Sequence, residues 1–348
     1  MHSLWSNLVK SRRWVIVLGL LVFGLLMPES ARAAKIGDVM EDSSLGKQAL
    51  RFLSFRDPSV RYAVTGSVLL GISCGLLGCF IVVRKIALVG DTLSHAVLPG
   101  VALGFLFSGV DASGLLDWNF DVDSIRKNPT LIFIGAVIAG FIATFFVSYL
   151  RQTTKIKEDT ALGLTLASFF AIGICLLTMI QKLPTGNKSG IDKFMFGQAA
   201  AIGEDDIKLM AVITMLIITA VFSFYKELLI TSFDAEFARA IALPSKWINH
   251  FLMLLVAFAV VIALQAVGVV LVSAMLITPA ATAYLLTDRM HRMLLYAVGF
   301  GVISGVLGAF VSFLKPSIPT GPCMVLGASV VFAFAFFAGP RHGVFTRW

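Results

Sequence analysis

The chain has 348 residues, of which 58% are hydrophobic and 14% are charged, and its mean hydropathy is +0.90. A soluble globular protein carries roughly 25% charged residues, so this composition excludes an ordinary soluble domain. The net charge of +8 is spread over many short loops, which indicates contact with a lipid bilayer and excludes a nucleic-acid-binding face. Long apolar runs without alternation predict an all-α, polytopic helical membrane protein.

The first 60 residues have the features of an export signal followed by a polar arm. Basic residues precede the apolar stretch 14–27, and small residues follow it at 31–33, which is the order found in secretory signals. The stretch is shorter than the roughly 20 residues that a spanning helix needs. We predict that residues 1–33 form either a cleaved signal or an extra N-terminal helix, and that residues 34–60 form an extracytoplasmic arm.

Nine apolar spans follow, which predict a membrane domain over residues 61–340 and a cytoplasmic tail at 341–348. The predicted spans are 61–83, 87–107, 130–150, 160–181, 207–225, 248–266, 268–287, 292–314 and 322–339. The sixth and seventh spans lie so close together that they form either a tight hairpin or one kinked helix. Lysines and arginines divide evenly between the two sides once the arm is counted, so their distribution does not decide the orientation. The signal-like start predicts that the arm lies outside and that the loop after the first span lies in the cytoplasm.

Three pairs of glycines are spaced four residues apart within these spans. They are Gly71 and Gly75, Gly100 and Gly104, and Gly301 and Gly305. Small residues at this spacing let helix backbones approach closely, so we predict that these positions serve helix packing.

The segment Gly90–Gly100 places two ionisable residues, Asp91 and His95, inside an apolar run. On a helix their spacing puts both side chains on one face, one turn apart, and Pro99 predicts an opening of that helix. Ionisable groups at membrane depth are costly and usually serve a transport pathway, and a carboxylate with an imidazole suits zinc, manganese or ferrous iron. Two ligands make an incomplete site, which a second copy, water or other helices would complete. The spacing alone fits equally well an Asp–His hydrogen bond that ties two helices together.

A second segment lies in the longest predicted cytoplasmic loop and has apolar residues at helical spacing. It consists of Phe233, Asp234, Ala235, Glu236, Phe237, Ala238, Arg239, Ala240, Ile241, Ala242 and Leu243. We predict a short amphipathic helix that Pro244 ends. Such a helix either docks on a cytosolic partner or lies on the lipid surface.

Four further polar residues interrupt apolar stretches: Ser94, Gln265, Ser273 and Thr278. They are candidates for lining a pathway, although polar residues at such positions also serve as hydrogen bonds between helices. The chain contains no G-x-x-x-x-G-K-[ST] segment, which is the phosphate-binding loop of an ATPase, and no H-E-x-x-H segment of a zinc protease.

Several of these segments, in this order, resemble the permease subunits of zinc/manganese/iron ATP-binding cassette (ABC) importers. The resemblance covers about residues 60–340 and is carried by Phe80–Lys85, Gly90–Gly100, Phe196–Gln198, Phe233–Leu243, Leu271–Leu286 and Pro316–Pro340. It implies a type II importer-like permease in the bacterial cytoplasmic (inner) membrane that carries manganese, zinc or ferrous iron, is not itself an enzyme and holds no permanent cofactor.

The resemblance also implies partners and residue roles. Two permease copies, identical or homologous, would form the pathway, two cytoplasmic ATPase subunits would drive it, and an extracytoplasmic metal-binding protein would deliver the ion. Asp91 and His95 would contact the metal in transit, and Phe233–Leu243 would dock on the ATPase. The absent phosphate-binding loop then has a reason, because ATP hydrolysis belongs to another chain.

Two alternatives from the sequence are a permease for a chelated metal, of the siderophore or cobalamin type, and a stand-alone, ion-driven metal carrier. A chelate would not need Asp91 and His95 as direct ligands. A carrier would work without ATP, and paired broken helices in two matching halves would favour it, yet the sequence shows no convincing internal repeat. An intramembrane enzyme is disfavoured because no nucleophile pairs with Asp91 and His95 in the sequence.

Overall fold

The structure, a computed structural model, describes residues 49, 51–52, 54–55, 57–107, 129–182, 197, 202–314 and 318–338. The predicted signal at 1–33, most of the arm at 34–60 and the tail at 341–348 lie outside the described residues and stay predictions. The described part of the arm contacts the bundle through Phe52, whose ring centroid lies 5.1 Å from that of Phe310.

The described residues contain α-helices and one short 3-10 turn, and no β-strand. The α-helices are α1 (Pro58–Val83), α2 (Leu88–Ala96), α3 (Leu98–Phe107), α4 (Pro129–Thr153), α5 (Glu158–Lys182), α6 (Glu204–Ser223), α7 (Tyr225–Phe233), α8 (Ala235–Ala240), α9 (Ser245–Val267), α10 (Val272–Leu286), α11 (Met290–Leu314) and α12 (Thr320–Ala338). Nine helical stretches in the described part are long and apolar enough to cross a membrane, and they coincide with the predicted spans. The predicted all-α, nine-span architecture is confirmed, with α2 and α3 together forming the second span.

The first span, α1, lies at the centre of the bundle and packs most extensively against α11. Its contact with α11 depends on small residues, because a methyl group added at Gly71 would lie 2.5 Å from the backbone nitrogen of Val302. One added at Gly75 would lie 2.8 Å from the carbonyl of Ala297. The packing role predicted for these glycines is confirmed.

The second span lies between α4 and α5, and α9 contacts both this group and α1. A methyl group at Gly100 would lie 2.1 Å from the carbonyl oxygen of Gly135 on α4. A methyl group at Gly104 would lie 2.8 Å from the backbone of Ile132. The α3 and α4 backbones are therefore in direct contact, which fixes the position of the second span.

The sixth and seventh spans are separate helices that meet at Gly268. This residue has a φ of 84°, a left-handed conformation that glycine adopts without steric cost, and the 3-10 turn Val269–Leu271 follows it. α10 then packs mainly on α1 and α11 and makes few contacts with α9. Neither a single kinked helix nor a closely packed hairpin describes this corner, because the glycine redirects the chain away from α9.

Candidate functional site

The second span is interrupted at Val97, two residues after His95, and this residue separates α2 from α3. Pro99 has no backbone N–H, so it cannot donate the helical hydrogen bond to the carbonyl of His95, four residues earlier. The backbone nevertheless stays helical at Val97, whose N–H donates to the carbonyl of Leu93, so the predicted opening is limited to the missing hydrogen bond beside His95.

Asp91 and His95 lie one turn apart on the same helix, with Asp91 Oδ1 3.6 Å from His95 Nε2. This distance is too long for a hydrogen bond, and since both residues belong to α2 the pair does not link two helices. Two atoms that bind one ion tetrahedrally at about 2.1 Å each are about 3.4 Å apart. The spacing of the pair is therefore close to that of two ligands of one ion.

Neighbouring helices hold α2 while leaving the face that carries Asp91 and His95 partly open. The Thr92 hydroxyl, which also donates to a carbonyl within α2, lies 3.4 Å from the carbonyl oxygen of Leu162 on α5. The ring of Phe170, also on α5, meets the His95 imidazole edge to face, with 4.8 Å between the centroids. The Asp91 side chain is 41% exposed and that of His95 is 18% exposed, whereas most of α2 is buried. One copy of the chain thus leaves the pair accessible along a narrow strip.

The pair supplies two ligands and no more from the described residues. In this part of the chain, no group of three His, Cys, Asp or Glu side chains is arranged to hold a metal ion. The second ring nitrogen of the imidazole, His95 Nδ1, is buried without a hydrogen-bond partner among the described residues. A metal ion bound here would complete its coordination with water or with groups from outside this chain.

The four predicted pathway residues lie in different environments. Ser94 is buried and its hydroxyl donates to the backbone carbonyl of Asp91 at 2.8 Å. Ser273 is half-buried on α10 and lies beside Gly90, where a methyl group would come within 3.9 Å of the serine Cβ. Gln265 and Thr278 are half-buried on α9 and α10. Ser94 lies on the same helix as Asp91, and Ser273 lies beside that helix. The pathway role of all four residues stays a prediction.

The segment Phe233–Leu243, called the docking segment below, is less helical than predicted. Phe233 is the last residue of α7, and α8 ends at Ala240, three residues before the predicted end. Asp234 caps α8, since its carboxylate accepts hydrogen bonds from the backbone N–H groups of the second and third residues after it. Pro244 does not end the helix. The helix ends instead at a left-handed turn at Ala242, which has a φ of 57°. The N–H of Leu243 closes this turn by donating to the carbonyl of Ala238.

The docking segment presents apolar side chains outward. Phe233, Phe237 and Ile241 are 63%, 52% and 45% exposed, while Ala238 is buried against the rest of the chain. Arg239 lies 3.8 Å from Glu236 on the outer surface of the same turn. An exposed apolar face beside charged residues is typical of a surface that a partner or a lipid layer covers.

Arg84 has a role in helix contacts that the sequence did not predict. Arg84 lies just after α1 and donates to Ser232 Oγ at 2.9 Å and to Asn249 Oδ1 at 2.7 Å. A third, longer contact of 3.4 Å reaches the Thr231 hydroxyl. No periodic pattern links positions so far apart in the chain, so only the position of Arg84 between two adjacent spans hinted at this role.

Comparisons with known proteins identify the family of this chain. The model of the ABC 3 transport family matches residues 56–339, which is most of the chain. The chain belongs to the ABC 3 transport family.

Three relatives are similar to most of this chain. The manganese transport system membrane protein MntC of Halalkalibacterium halodurans is 40% identical over 83% of this chain and 90% of its own length. The zinc transport system membrane protein TroC of Treponema pallidum is 35% identical over 83% of this chain and 92% of its own length. The MntC protein of Bacillus subtilis is 39% identical over 84% of this chain, which spans 64% of the length of that relative.

Two solved structures share the architecture. PsaBC from Streptococcus pneumoniae, in complex with Fab, matches with a TM-score of 0.72 and 33% identity over 86% of this chain and 98% of that chain. A putative metal-chelate type ABC transporter in an inward-facing conformation matches with a TM-score of 0.62 over 94% of this chain and 99% of that chain. Its identity of 15% shows a common fold and nothing more.

The resemblance that the sequence predicted is therefore confirmed. The chain is a multi-pass permease of an ABC importer in the bacterial inner membrane, which also confirms the predicted location. It is a transport subunit, in agreement with the prediction that it is not itself an enzyme.

Proposed function

We propose that this chain forms the translocation pathway of an ATP-driven importer for manganese, zinc or ferrous iron, and that Asp91 and His95 bind the ion in transit. The observation that carries the proposal is the 3.6 Å separation of a carboxylate oxygen and an imidazole nitrogen on a partly open face inside a membrane span. Ionisable side chains are rare at such depth unless they serve a pathway. Relatives named as manganese and zinc transport proteins support this class of cargo.

Two ligands suit an ion that must leave again. A structural zinc site encloses its ion with four protein ligands, whereas a carboxylate and one imidazole from one chain hold an ion only as long as the groups that complete its coordination stay in place. The neutral imidazole and the ionised carboxylate of the pair are ligands for all three candidate ions, so the pair alone does not select among them. A second permease copy, identical or homologous, would bring a matching pair to the pathway and complete the site.

We propose that the energy comes from a separate cytoplasmic ATPase that binds the docking segment. The exposed side chains of Phe233, Phe237 and Ile241 form an apolar patch on a short, capped helix, which is suited to a hydrophobic groove on a partner. The chain carries no G-x-x-x-x-G-K-[ST] segment of its own to hold ATP. An extracytoplasmic metal-binding protein would deliver the ion on the opposite face.

Residues on other helices would line the remainder of the pathway. Ser273 is the best placed of them, because it is half-buried on α10 and lies against the backbone of α2 at Gly90. Ser94, Gln265 and Thr278 are the other proposed lining residues, and a hydroxyl or amide oxygen offers a weak ligand to a passing cation.

The test is uptake by proteoliposomes that contain the permease, its ATPase and its metal-binding protein, across a panel of Mn²⁺, Zn²⁺ and Fe²⁺. We expect ATP-dependent uptake of at least one of these ions. Because loss of a support for a single metal ligand already costs 10–100-fold, we expect the D91A/H95A double variant to lower uptake at least about a hundredfold.

Two exposed residues of the same kinds provide the matched control. Asp159 lies in the first turn of α5 and His291 in the first turn of α11, and both are exposed. The D159A/H291A variant should transport at close to the wild-type rate. Unchanged uptake by D91A/H95A would remove the pair from the pathway, and uptake without ATP or partners would favour a stand-alone carrier.

A further inference from the structure

The guanidinium of Arg84 connects three parts of the chain that are far apart in sequence. Its Nε donates to Ser232 Oγ at 2.9 Å, its Nη1 donates to Asn249 Oδ1 at 2.7 Å, and its Nη2 lies 3.4 Å from Thr231 Oγ1. Thr231 and Ser232 belong to the last turn of α7, and Asn249 belongs to the second turn of α9. One side chain therefore holds the end of α1 against two other helices.

The acceptors are oriented for this contact. The hydroxyls of Thr231 and Ser232 donate to the backbone carbonyls of Glu227 and Leu228 within α7. Their hydrogens are thus engaged in the helix, and their lone pairs are left to accept from Arg84. The contact depends on neutral acceptors, since no carboxylate of the described residues lies within 4.0 Å of Arg84.

The guanidinium keeps its charge in this half-buried place. Burial lowers the pKa of Arg84 to about 10, and the negative charge of Glu158 opposes that shift. Arg84 is therefore protonated at neutral pH and can donate all of its N–H groups.

Arg84 lies at a junction between the two functional regions. On one side the chain passes through a tight corner, in which the N–H of Ile86 donates to the carbonyl of Ile81 at 3.2 Å, and α2 begins two residues later. On the other side Ser232 immediately precedes Phe233, the first residue of the docking segment. One path from the docking segment to the helix that carries Asp91 thus runs through the Arg84 side chain and a short, hydrogen-bonded corner, alongside the packing of both α7 and α2 on α9.

We propose that Arg84 is a positioning residue that transmits movement of the docking segment to α2, and so changes the exposure of Asp91 and His95 when the ATPase closes. The inference rests on the proposed function. The surroundings leave room for such movement, because Arg84, Phe233 and Arg239 border a cavity of about 580 Å³. An arginine suits the task because its planar fork reaches several acceptors at once, which the single ammonium of a lysine does not.

The experiment measures the number of Mn²⁺ or Zn²⁺ ions transported per ATP hydrolysed, in proteoliposomes with the complete permease, ATPase and metal-binding protein. Because coupling between two sites typically amounts to 5–150-fold, the R84Q and R84K variants should lower this ratio at least about fivefold. Basal ATP hydrolysis and equilibrium Mn²⁺ or Zn²⁺ binding should remain within about twofold of wild type, which a merely structural defect would not allow. The K85Q variant, which changes the charge of the adjacent exposed residue, should keep the wild-type ratio.

A second set of variants leaves Arg84 in place and decides the matter even if R84Q and R84K fail to assemble. S232A and N249A each remove one acceptor of Arg84 and should each lower the transport ratio about two- to threefold. When S232A is combined with R84Q, the ratio should fall little further than in R84Q alone, as expected for residues in one network. S329A, which removes an exposed hydroxyl that also donates within its own helix, is the control.

The outcomes separate the inference from the proposed function. The role of Arg84 would be overturned, and the proposed function left intact, by a wild-type ratio of ions transported per ATP in R84Q and R84K, or in S232A and N249A. Additive losses in the variant that combines R84Q with S232A would overturn it as well. Failure of the wild-type assembly to transport any ion of the panel would overturn the proposed function.

Discussion

The Asp91–His95 pair and the docking segment are opposites in how they meet their surroundings. α2 is buried on most sides, and its two ionisable side chains occupy the strip that stays partly open. The docking segment instead turns its large apolar side chains outward and buries the small Ala238. An ion site in a membrane has to exclude water and lipid except along one path, whereas a docking surface has to offer apolar area to a partner. The two regions are therefore recognised by different features: partly exposed ionisable side chains in one and an exposed apolar face in the other.

The two regions also differ in what holds them. Direct backbone contact with α4 and the packing of Phe170 fix the second span, so its geometry depends on close packing with other helices. The docking segment is held by local devices, the cap from Asp234 and the turn at Ala242. Changes to packing should consequently affect the pair, and changes to the exposed surface should affect docking.

The largest effect expected from a single substitution in the docking segment is that of Phe237→Asp. Burial of a phenylalanine contributes about 1.5–3 kcal/mol, and an unpaired carboxylate in a closed interface adds a further cost, so the ATPase should bind at least about a hundredfold more weakly. ATP-dependent uptake should fall accordingly, while Mn²⁺ or Zn²⁺ binding at Asp91 and His95 should persist. Co-purification of the ATPase and its titration onto the permease measure the change.

Phe237→Leu is the matched control for this prediction, because it keeps an apolar side chain at the same position. It should retain most of the affinity for the ATPase. Equal affinity in the Asp and Leu variants would show that the exposed apolar face serves lipid contact and not docking.

A smaller effect is expected where packing supports the second span. Gly100→Ala places a methyl group 2.1 Å from the carbonyl of Gly135, so α3 and α4 have to separate at a cost of about 1–3 kcal/mol. We expect a lower temperature of thermal unfolding and reduced uptake, with the affinity for the ATPase unchanged.

Gly163→Ala tests whether this effect arises from the close contact. No atom lies within 4 Å of a methyl group at Gly163, so alanine there should raise helix stability by about 0.5–1 kcal/mol. If both alanine variants unfolded at the same temperature, the close approach of α3 and α4 would not be what positions the pair.

The smallest effect concerns the proposed lining of the pathway. Ser273→Ala removes a hydroxyl beside α2 while leaving Asp91 and His95 in place, so uptake should fall about two- to fivefold, equivalent to the net contribution of about one hydrogen bond. Initial rates of Mn²⁺ and Zn²⁺ uptake measure it, with Ser329→Ala as the control on an exposed surface. Wild-type rates for Ser273→Ala would assign this residue to helix packing.

Much of this architecture follows from the sequence because hydrophobicity sets the spans directly. Long apolar runs without charges have few ways to satisfy their backbone, so nine spans were predictable, as was the interruption near Pro99, which lacks an N–H. The close contacts at Gly71 and Gly100 were predictable as packing, though not which helices would meet there. That depends on tertiary shape, which the spacing of glycines does not encode.

Local detail escaped prediction where distant residues or backbone dihedrals decide it. The end of α8 depends on the left-handed turn at Ala242, and an alanine gives no signal for a positive φ. The connection at Gly268 was expected to be a tight hairpin or a kink, whereas it is a corner that redirects the chain. A glycine between two apolar runs fits all three conformations equally well. The bridge from Arg84 to α7 and α9 joins residues that are 148 and 165 positions apart, and one sequence contains no information on such pairs.

Equilibrium binding of radiolabelled Mn²⁺ and Zn²⁺ to the purified permease in lipid nanodiscs, without ATPase or binding protein, tests directly whether Asp91 and His95 bind the ion. We expect saturable binding of at least one ion that is lost in D91A/H95A and kept in D159A/H291A. Undiminished binding in D91A/H95A, or equal loss in both variants, would contradict the assignment of Asp91 and His95 as the metal ligands.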